Sequence, residues 1–396
     1  MRILINGLAA AGVRTGVGHY TAELVHGLQA IAGADDVVCF QPDWARTLKR
    51  NWTRLRGWMQ PASRTRSVAG PPTRSWPHHL LDSFKRVGLW MYEQRFRALS
   101  RRGFDLYHEP NFIPLASRLP TVTTVLDLSV LLHPQWHPAD RVMDFERRFH
   151  AGLKQCAHVI AISDHCRREA IDGLGLAPHI VSRTYMGVRS HFRPLSADTV
   201  RERLEALNLP PSYLLHVGTI EPRKNLMTLL RAYCDLPSEL RDRCPLVLVG
   251  GWGWNSADVH HFLQSTAKDR NVRHVGYVAE DDLPAVYNGA RALVFPTHYE
   301  GFGMPTVEMM ACGGAVIAST AAAVAEVVAG RGYLVDPLDV QGWRDAMARI
   351  IQDNDWHAAM CEGGPAFAAR FTWERCAADT LAAYRAVVGG TVRHAA

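Results

Sequence analysis

The chain has no Cys-x-x-Cys pair, and its eight cysteines are scattered between positions 39 and 376 without regular spacing. That argues against a disulfide framework or a zinc ribbon and fits a reducing cytosol. No stretch of about twenty uninterrupted apolar residues occurs, so no membrane-spanning helix is expected. The apolar run at the start is broken by Asn6 and Gly7, and it reads as a first buried strand rather than a signal sequence. No repeat shorter than a domain is evident. No Asp-x-Asp stands at a strand end; Asp281-Asp282 precedes Leu283-Pro284 and reads as the charged start of a helix.

What is present is ordinary in bulk and uneven in detail. The 396 residues are 47% hydrophobic and 21% charged, with a net charge of +6. Those values suit a globular protein of two domains, each large enough to bury a core. Residues 41–102 hold 14 Lys or Arg against three acids, a local balance of +11, with five tryptophans interleaved. Basic residues mixed with interfacial aromatics suit an anionic membrane surface, at about 1 kcal/mol per basic residue near the lipid. A solvated loop is the alternative. Nucleic acid is not expected, because no DNA- or RNA-binding signature accompanies the charge.

Short apolar runs bounded by turn residues recur along the chain. In the first half they fall at 2–6, 37–40, 104–108, 121–126 and 159–163, with helical patterns at 20–31 and 145–156. After the punctuation Asn208-Leu-Pro-Pro211 they resume at 213–217, 246–251, 272–275, 292–295 and 315–319. Strand–helix alternation of this kind predicts an α/β protein with parallel sheets covered on both faces. Two such series predict two Rossmann-like β/α/β domains facing a cleft, residues 1–190 and 205–371. A hinge is expected near 188–210, and a last helix within 372–396 returning to the first domain.

The stretch from Ala292 to Glu308 is the most informative. An apolar run leads to Glu300-Gly301-Phe302-Gly303-Met304-Pro305-Thr306-Val307-Glu308, two carboxylates eight residues apart across a glycine turn that opens a helix. Free N–H groups and a positive dipole end at such a turn form a site for a diphosphate. Upstream, Gly218-Thr-Ile-Glu-Pro-Arg223-Lys224-Asn225 follows another strand. Adjacent cations at a strand end are placed to meet anions, Arg223 bidentately and Lys224 as a compact charge.

These motifs resemble the E-x7-E and G-x-x-x-P-R-K-N strings of retaining glycosyltransferases of family 4, the glycosyltransferase group 1 proteins of GT-B fold. The likeness covers nearly the whole chain and is strongest over 214–337. It implies a nucleotide-sugar-binding second domain and an acceptor-binding first domain. By the resemblance, Glu308 binds the ribose hydroxyls and Glu300 faces the donor sugar. Backbone at Gly301 to Met304 approaches the sugar, that at Pro305 to Val307 the phosphates. Arg223 and Lys224 take the pyrophosphate, near Gly218, and backbone near Tyr277 and Val278 takes the base.

Gly16-Val-Gly18 resembles the family's N-terminal glycine loop across the cleft from the donor phosphates, although glycines also serve a plain tight turn. Arg14 beside it could contact acceptor or phosphate. His108 and Asn111 of the segment His108-Glu-Pro-Asn111 resemble a family segment near the acceptor side, although a lone histidine is more often a satisfied packing residue. Ser163 resembles a strand-end serine that caps the next helix. One departure stands out: where the family carries a strand-end histidine before the aspartate, this chain has Leu126 before Asp127. Asp127 then either contacts substrate or caps locally.

The reading that follows is a metal-independent, retaining glycosyltransferase with no further cofactor. Its donor is GDP-mannose by preference, with rhamnosyl or glucosyl transfer open. Its acceptor is lipid-linked or a polysaccharide, at the cytoplasmic face of the inner membrane, as in polysaccharide, O-antigen or exopolysaccharide assembly. A sugar-nucleotide epimerase of the same fold and a non-catalytic nucleotide-sugar-binding protein are the competing classes. An epimerase would need no acceptor, and intact Glu300, Glu308, Arg223 and Lys224 argue against the binding protein.

Overall fold

The computed structural model describes residues 1–11, 16–41 and 78–394. Arg14, and most of the basic segment 41–102, lie outside the described residues. Two six-stranded parallel sheets form the frame. The first has the order β2-β1-β3-β4-β5-β6, from β1 (Arg2–Asn6), β2 (Asp36–Phe40), β3 (Leu106–Glu109), β4 (Thr121–Val125), β5 (Cys156–Ala161) and β6 (Val181–Arg183). The second has the order β12-β11-β10-β7-β8-β9, from β7 (Tyr213–Val217), β8 (Leu246–Val249), β9 (Val272–Gly276), β10 (Ala290–Phe295), β11 (Ala315–Ser319) and β12 (Tyr333–Val335). Every pairing is parallel. The central strands are buried along their whole length, which is why they read as unbroken apolar runs rather than alternating ones.

The helices that matter for the site are α1 (Gly16–Ile31), α2 (His78–Ser100), α3 (Asp164–Arg168), α4 (Leu283–Gly289), α5 (Met304–Ala311), α6 (Ala322–Val328) and α7 (Trp373–His394). Ser163 caps α3 by accepting from the Cys166 amide at 3.0 Å, the capping role expected of it. Asp282 precedes α4 and pairs with Arg203 at 2.8 Å instead of bonding the helix amides.

Two crossings join the halves, and they touch. Val188 N donates to Phe371 O at 2.9 Å, and a Cβ on Gly187 would come within 2.3 Å of Trp373 N. Beyond that point α7 lies along α1 in the first domain, with Gly27 allowing the close approach. Further contacts join the two halves. The Glu326 carboxylate on α6 accepts the Asp164 and His165 amides at 2.7 and 2.8 Å, so an acid of one domain sits at the helix start of the other. Tyr299 Oη accepts from Leu128 N at 3.0 Å and donates to Glu169 at 2.5 Å.

Candidate functional site

In the second sheet, strand order reverses between β10 and β7. The C-terminal ends of strands flanking such a reversal form a crevice, because the connections depart to opposite faces. The Gly218–Asn225 segment leaves β7 there, and the Pro296–Gly303 turn leaves β10 beside it. The order of the strands in the sheet therefore brings the two motifs together.

Their side chains meet. Lys224 Nζ lies 2.5 Å from Glu300 Oε1, and Arg223 Nη1 lies 2.7 Å from Glu300 Oε2. Glu300 is 8% exposed. Arg223 also holds Glu221 at 2.8 Å and donates to Tyr299 O at 3.0 Å, while Thr297 Oγ1 is 3.0 Å from Glu300 Oε1. Burial by itself would raise the Glu300 carboxyl, but Arg223 and Lys224 outweigh it and hold it at about 2. Burial would lower the Arg223 guanidinium, and the carboxylates of Glu300, Asp127 and Glu221 raise it instead. Lys224 is pushed down by burial, with Glu300 opposing. Glu221 was not singled out in the sequence, although it stands inside the same string; its pairing depends on the 3-10 turn over Pro222–Lys224.

Asn225 explains the end of that string. Its backbone is left-handed, φ 55°, a conformation asparagine tolerates. Its side-chain amide donates to Pro296 O at 2.9 Å and Pro337 O at 2.6 Å, clamping the two neighbouring turns.

Gly301 and Gly303 do different work. A Cβ on Gly301 would fall 1.6 Å from the Leu126 carbonyl oxygen, so this glycine lets the two domains touch. Leu126 thus meets the second domain through its main chain, where the family pattern led us to expect a histidine side chain. Gly303 has φ 99° and precedes α5, a conformation that L side chains rarely adopt. Phe302 and Val307 are buried core residues. Pro305 has no N–H, and the Thr306 amide bonds Gly303 O at 3.0 Å; neither amide is open to a phosphate, which narrows the expected backbone contacts.

Glu308 lies one turn into α5 and is 6% exposed. Tyr287 on α4 donates to its Oε2 at 2.8 Å, and Arg189, in the segment between the two sheets, lies 3.3 Å from its Oε1. Burial raises this carboxyl above its ordinary value, with Arg189 acting against it. Glu308 and Glu300 do not touch one another. In the loop after β9, Tyr277 is 65% exposed while Val278 is buried. Gly218 lies against Lys224, whose Cε would be 3.4 Å from an added Cβ.

Two first-domain expectations change. Gly16 and Gly18 stand in the first turn of α1, not in a loop, and Gly18 is buried. His108 is not on an open acceptor surface. It is fully enclosed, with Nε2 2.9 Å from Thr124 Oγ1 and Nδ1 2.5 Å from Tyr384 Oη, so it fastens α7 to β3 and β4. Burial lowers its pKa to about 3, which keeps it neutral. Asn111 is exposed. Asp127 accepts from Ser129 N at 2.9 Å and Oγ at 2.7 Å, the local capping alternative, and it also bears electrostatically on Arg223.

A cavity of about 570 Å³ lies behind the hinge, between α1, the linker and the start of α7. Glu300, Arg223 and Lys224 do not line it. Among the described residues, no group of three His, Cys, Asp or Glu side chains could hold a metal ion.

Comparison with known proteins places the chain in a family. Residues 201–366 match the family described as Glycosyl transferases group 1, and residues 14–191 match Glycosyltransferase Family 4. The chain is 36% identical to O-antigen chain mannosyltransferase B of Escherichia coli, over 71% of this chain and 74% of that one. It is 29% identical to the serotype-specific mannosyltransferase WbdA of Escherichia coli over 65% of this chain, spanning only 32% of that longer protein. In fold it is similar to sucrose-phosphate synthase from Thermosynechococcus elongatus, TM-score 0.71, at 22% identity over 98% of this chain and 99% of that one. With two parallel sheets in the GT-B arrangement and matches in both halves, the chain belongs to the group 1, or family 4, glycosyltransferases.

Proposed function

We propose that the protein transfers mannose from GDP-mannose, with retention of configuration and without a metal, to a lipid-linked or polysaccharide acceptor of a cell-surface glycan. The observation that carries this reading is the convergence of Arg223, Lys224 and Glu300 at the β7–β10 strand ends. Likeness to two mannosyltransferases supports the choice of sugar and the O-antigen type of acceptor.

The chemistry follows from charge. Cleavage of the sugar–phosphate bond leaves negative charge on the diphosphate and positive charge on the sugar ring. Arg223 and Lys224 meet the first, in place of a divalent ion. Both cations are paired with Glu300, so a diphosphate held there shares them with that carboxylate. Glu300 stays ionised throughout the physiological range and contacts the sugar on its remaining lone pair, on Oε2. Glu308 accepts from the ribose hydroxyls. Retention is explained by attack on the face the diphosphate leaves, with the departing phosphate taking the acceptor proton. Closure of the seam at Tyr299, Leu128 and Gly301 excludes water, which would otherwise divert transfer to hydrolysis.

Membrane association is part of the reading. On α2, Val87, Trp90 and Met91 share one exposed face, Trp90 at 60%, while Tyr92 and Phe96 turn inward. Arg97 near the end of α2 and Arg101 in the turn just after it are also exposed. Apolar residues beside cations suit an anionic lipid surface. No helix among the described residues is long and apolar enough to cross a membrane.

The test is a donor panel of GDP-mannose, UDP-glucose, UDP-N-acetylglucosamine and dTDP-rhamnose, with thermal shift and sugar transfer to membrane lipid as readouts and Glu308→Ala as control. A shift and transfer with GDP-mannose alone, lost in the control, supports the reading. Preference for another donor overturns the mannose assignment.

A further inference from the structure

Arg189 stands on the linker between the sheets, with its side chain only 10% exposed. Its polar partners all lie outside the linker. One terminal nitrogen pairs with Glu280 and lies 3.3 Å from His19 Nδ1; the other lies 3.3 Å from Glu308 Oε1. The Phe192 ring sits 4.9 Å from the guanidinium carbon. The three polar partners belong to three elements. His19 is in the first turn of α1 beside Gly18, Glu280 follows β9 beside Val278, and Glu308 is on α5. Each element carries residues assigned above to the donor. A guanidinium, with its rigid fork of donors, can hold two acids at once in fixed directions.

We propose that Arg189 is a positioning residue for the donor: a hinge-borne cation that holds the nucleoside side of the cleft together through Glu308, Glu280 and the start of α1. The proposal rests on the reading of Glu308 as the ribose-binding carboxylate. Tyr287 and Arg189 grip the two Glu308 oxygens from opposite sides, which fixes the carboxylate plane and leaves lone pairs for hydroxyl donors. Loss of the cation would leave a buried carboxyl facing only a tyrosine hydroxyl and the nearby Glu280, surroundings that favour the protonated acid with fewer acceptor sites. Because Arg189 also reaches α1, this order exists only when the hinge sets both domains correctly.

The experiment is calorimetric binding of GDP, UDP and dTDP to the full chain, wild type against Arg189→Ala, Arg189→Lys and Glu308→Ala, with KM and kcat for the active donor. Arg189→Ala is expected to weaken the nucleotide that binds wild type by about ten- to a hundredfold, the effect of losing one charge-assisted hydrogen bond. It should raise KM more than it lowers kcat, over and above any fall in melting temperature from the unpaired buried acids, and Arg189→Lys should recover part of the loss. A merely structural ion pair would move the melting temperature and leave this KM–kcat split absent. If Arg189→Ala does not fold, Arg189→Gln, which keeps much of the side-chain length, carries the same comparison. Full affinity in the Arg189 variants with loss in Glu308→Ala overturns the inference and leaves the ribose reading standing. Tighter binding without Arg189 also overturns it, because the guanidinium would then be competing with the ribose. Unchanged binding in Glu308→Ala overturns both.

Discussion

Replacing Gly301 by alanine asks whether catalysis needs the two domains in the contact seen here. The added Cβ would lie 1.6 Å from the Leu126 carbonyl oxygen and 2.8 Å from its carbon, whereas Cβ contacts essentially never fall below 3.0 Å. Both neighbours are main chain, so no side-chain rotation relieves the clash, and the domains must part by well over an ångström at this point. A displacement of ~1 Å between reacting groups costs about 10²-fold. We expect kcat/KM to fall by about that factor. Stability should drop no more than the ~1–3 kcal/mol of local overpacking, because the clash lies between domains rather than within either core. Nucleotide affinity should hold, since Glu308 and Tyr287 lie within the second domain. The assay is steady-state kinetics beside a melting curve and nucleotide titration of the same sample. Wild-type kcat/KM would show that the reaction proceeds without the Leu126–Gly301 contact and would refute the reasoning.

Lys224→Ala should lower turnover by about 10²–10³-fold while the protein stays folded, because a preorganised charge facing the leaving group is lost; a wild-type rate would sink the phosphate assignment. Glu300 has its carboxyl held at about 2 against an ordinary 4.5, which is worth about 3 kcal/mol. The depressed value means this stability is complete above about pH 4.5 and is lost as pH falls toward 2. Urea titrations from pH 6 to pH 2 should therefore show a steep acid limb that Glu300→Gln flattens, and identical limbs would refute the ion-pair account. Tyr384→Phe leaves the buried His108 Nδ1 without its partner and should cost about 1–3 kcal/mol in unfolding measurements with kcat unchanged. A selective loss of acceptor affinity in that variant would return His108 to the acceptor site.

Local chemistry made much of this protein legible from its residues. Runs such as Leu246–Val249 and Ala315–Ser319 read as strands because parallel strands covered on both faces must be apolar throughout. The three-residue edge strands Val181–Arg183 and Val335's strand from Tyr333 were not read, because so short a run carries no period. Glu300, Arg223 and Lys224 were legible because strand ends at a reversal of sheet order are where charge collects, and their spacing could be matched to a family. Folding decided the rest. Arg189, 119 residues from Glu308, meets it only through the hinge. His108 and Tyr384, 276 residues apart, turn an apparent site histidine into a fastener. Gly301 looked like a place for the sugar and is also where two backbones touch. Periodicity and spacing are properties of neighbours along the chain. Which charge is buried against which, and which glycine faces a carbonyl, depends on surfaces that come together only when both sheets are built.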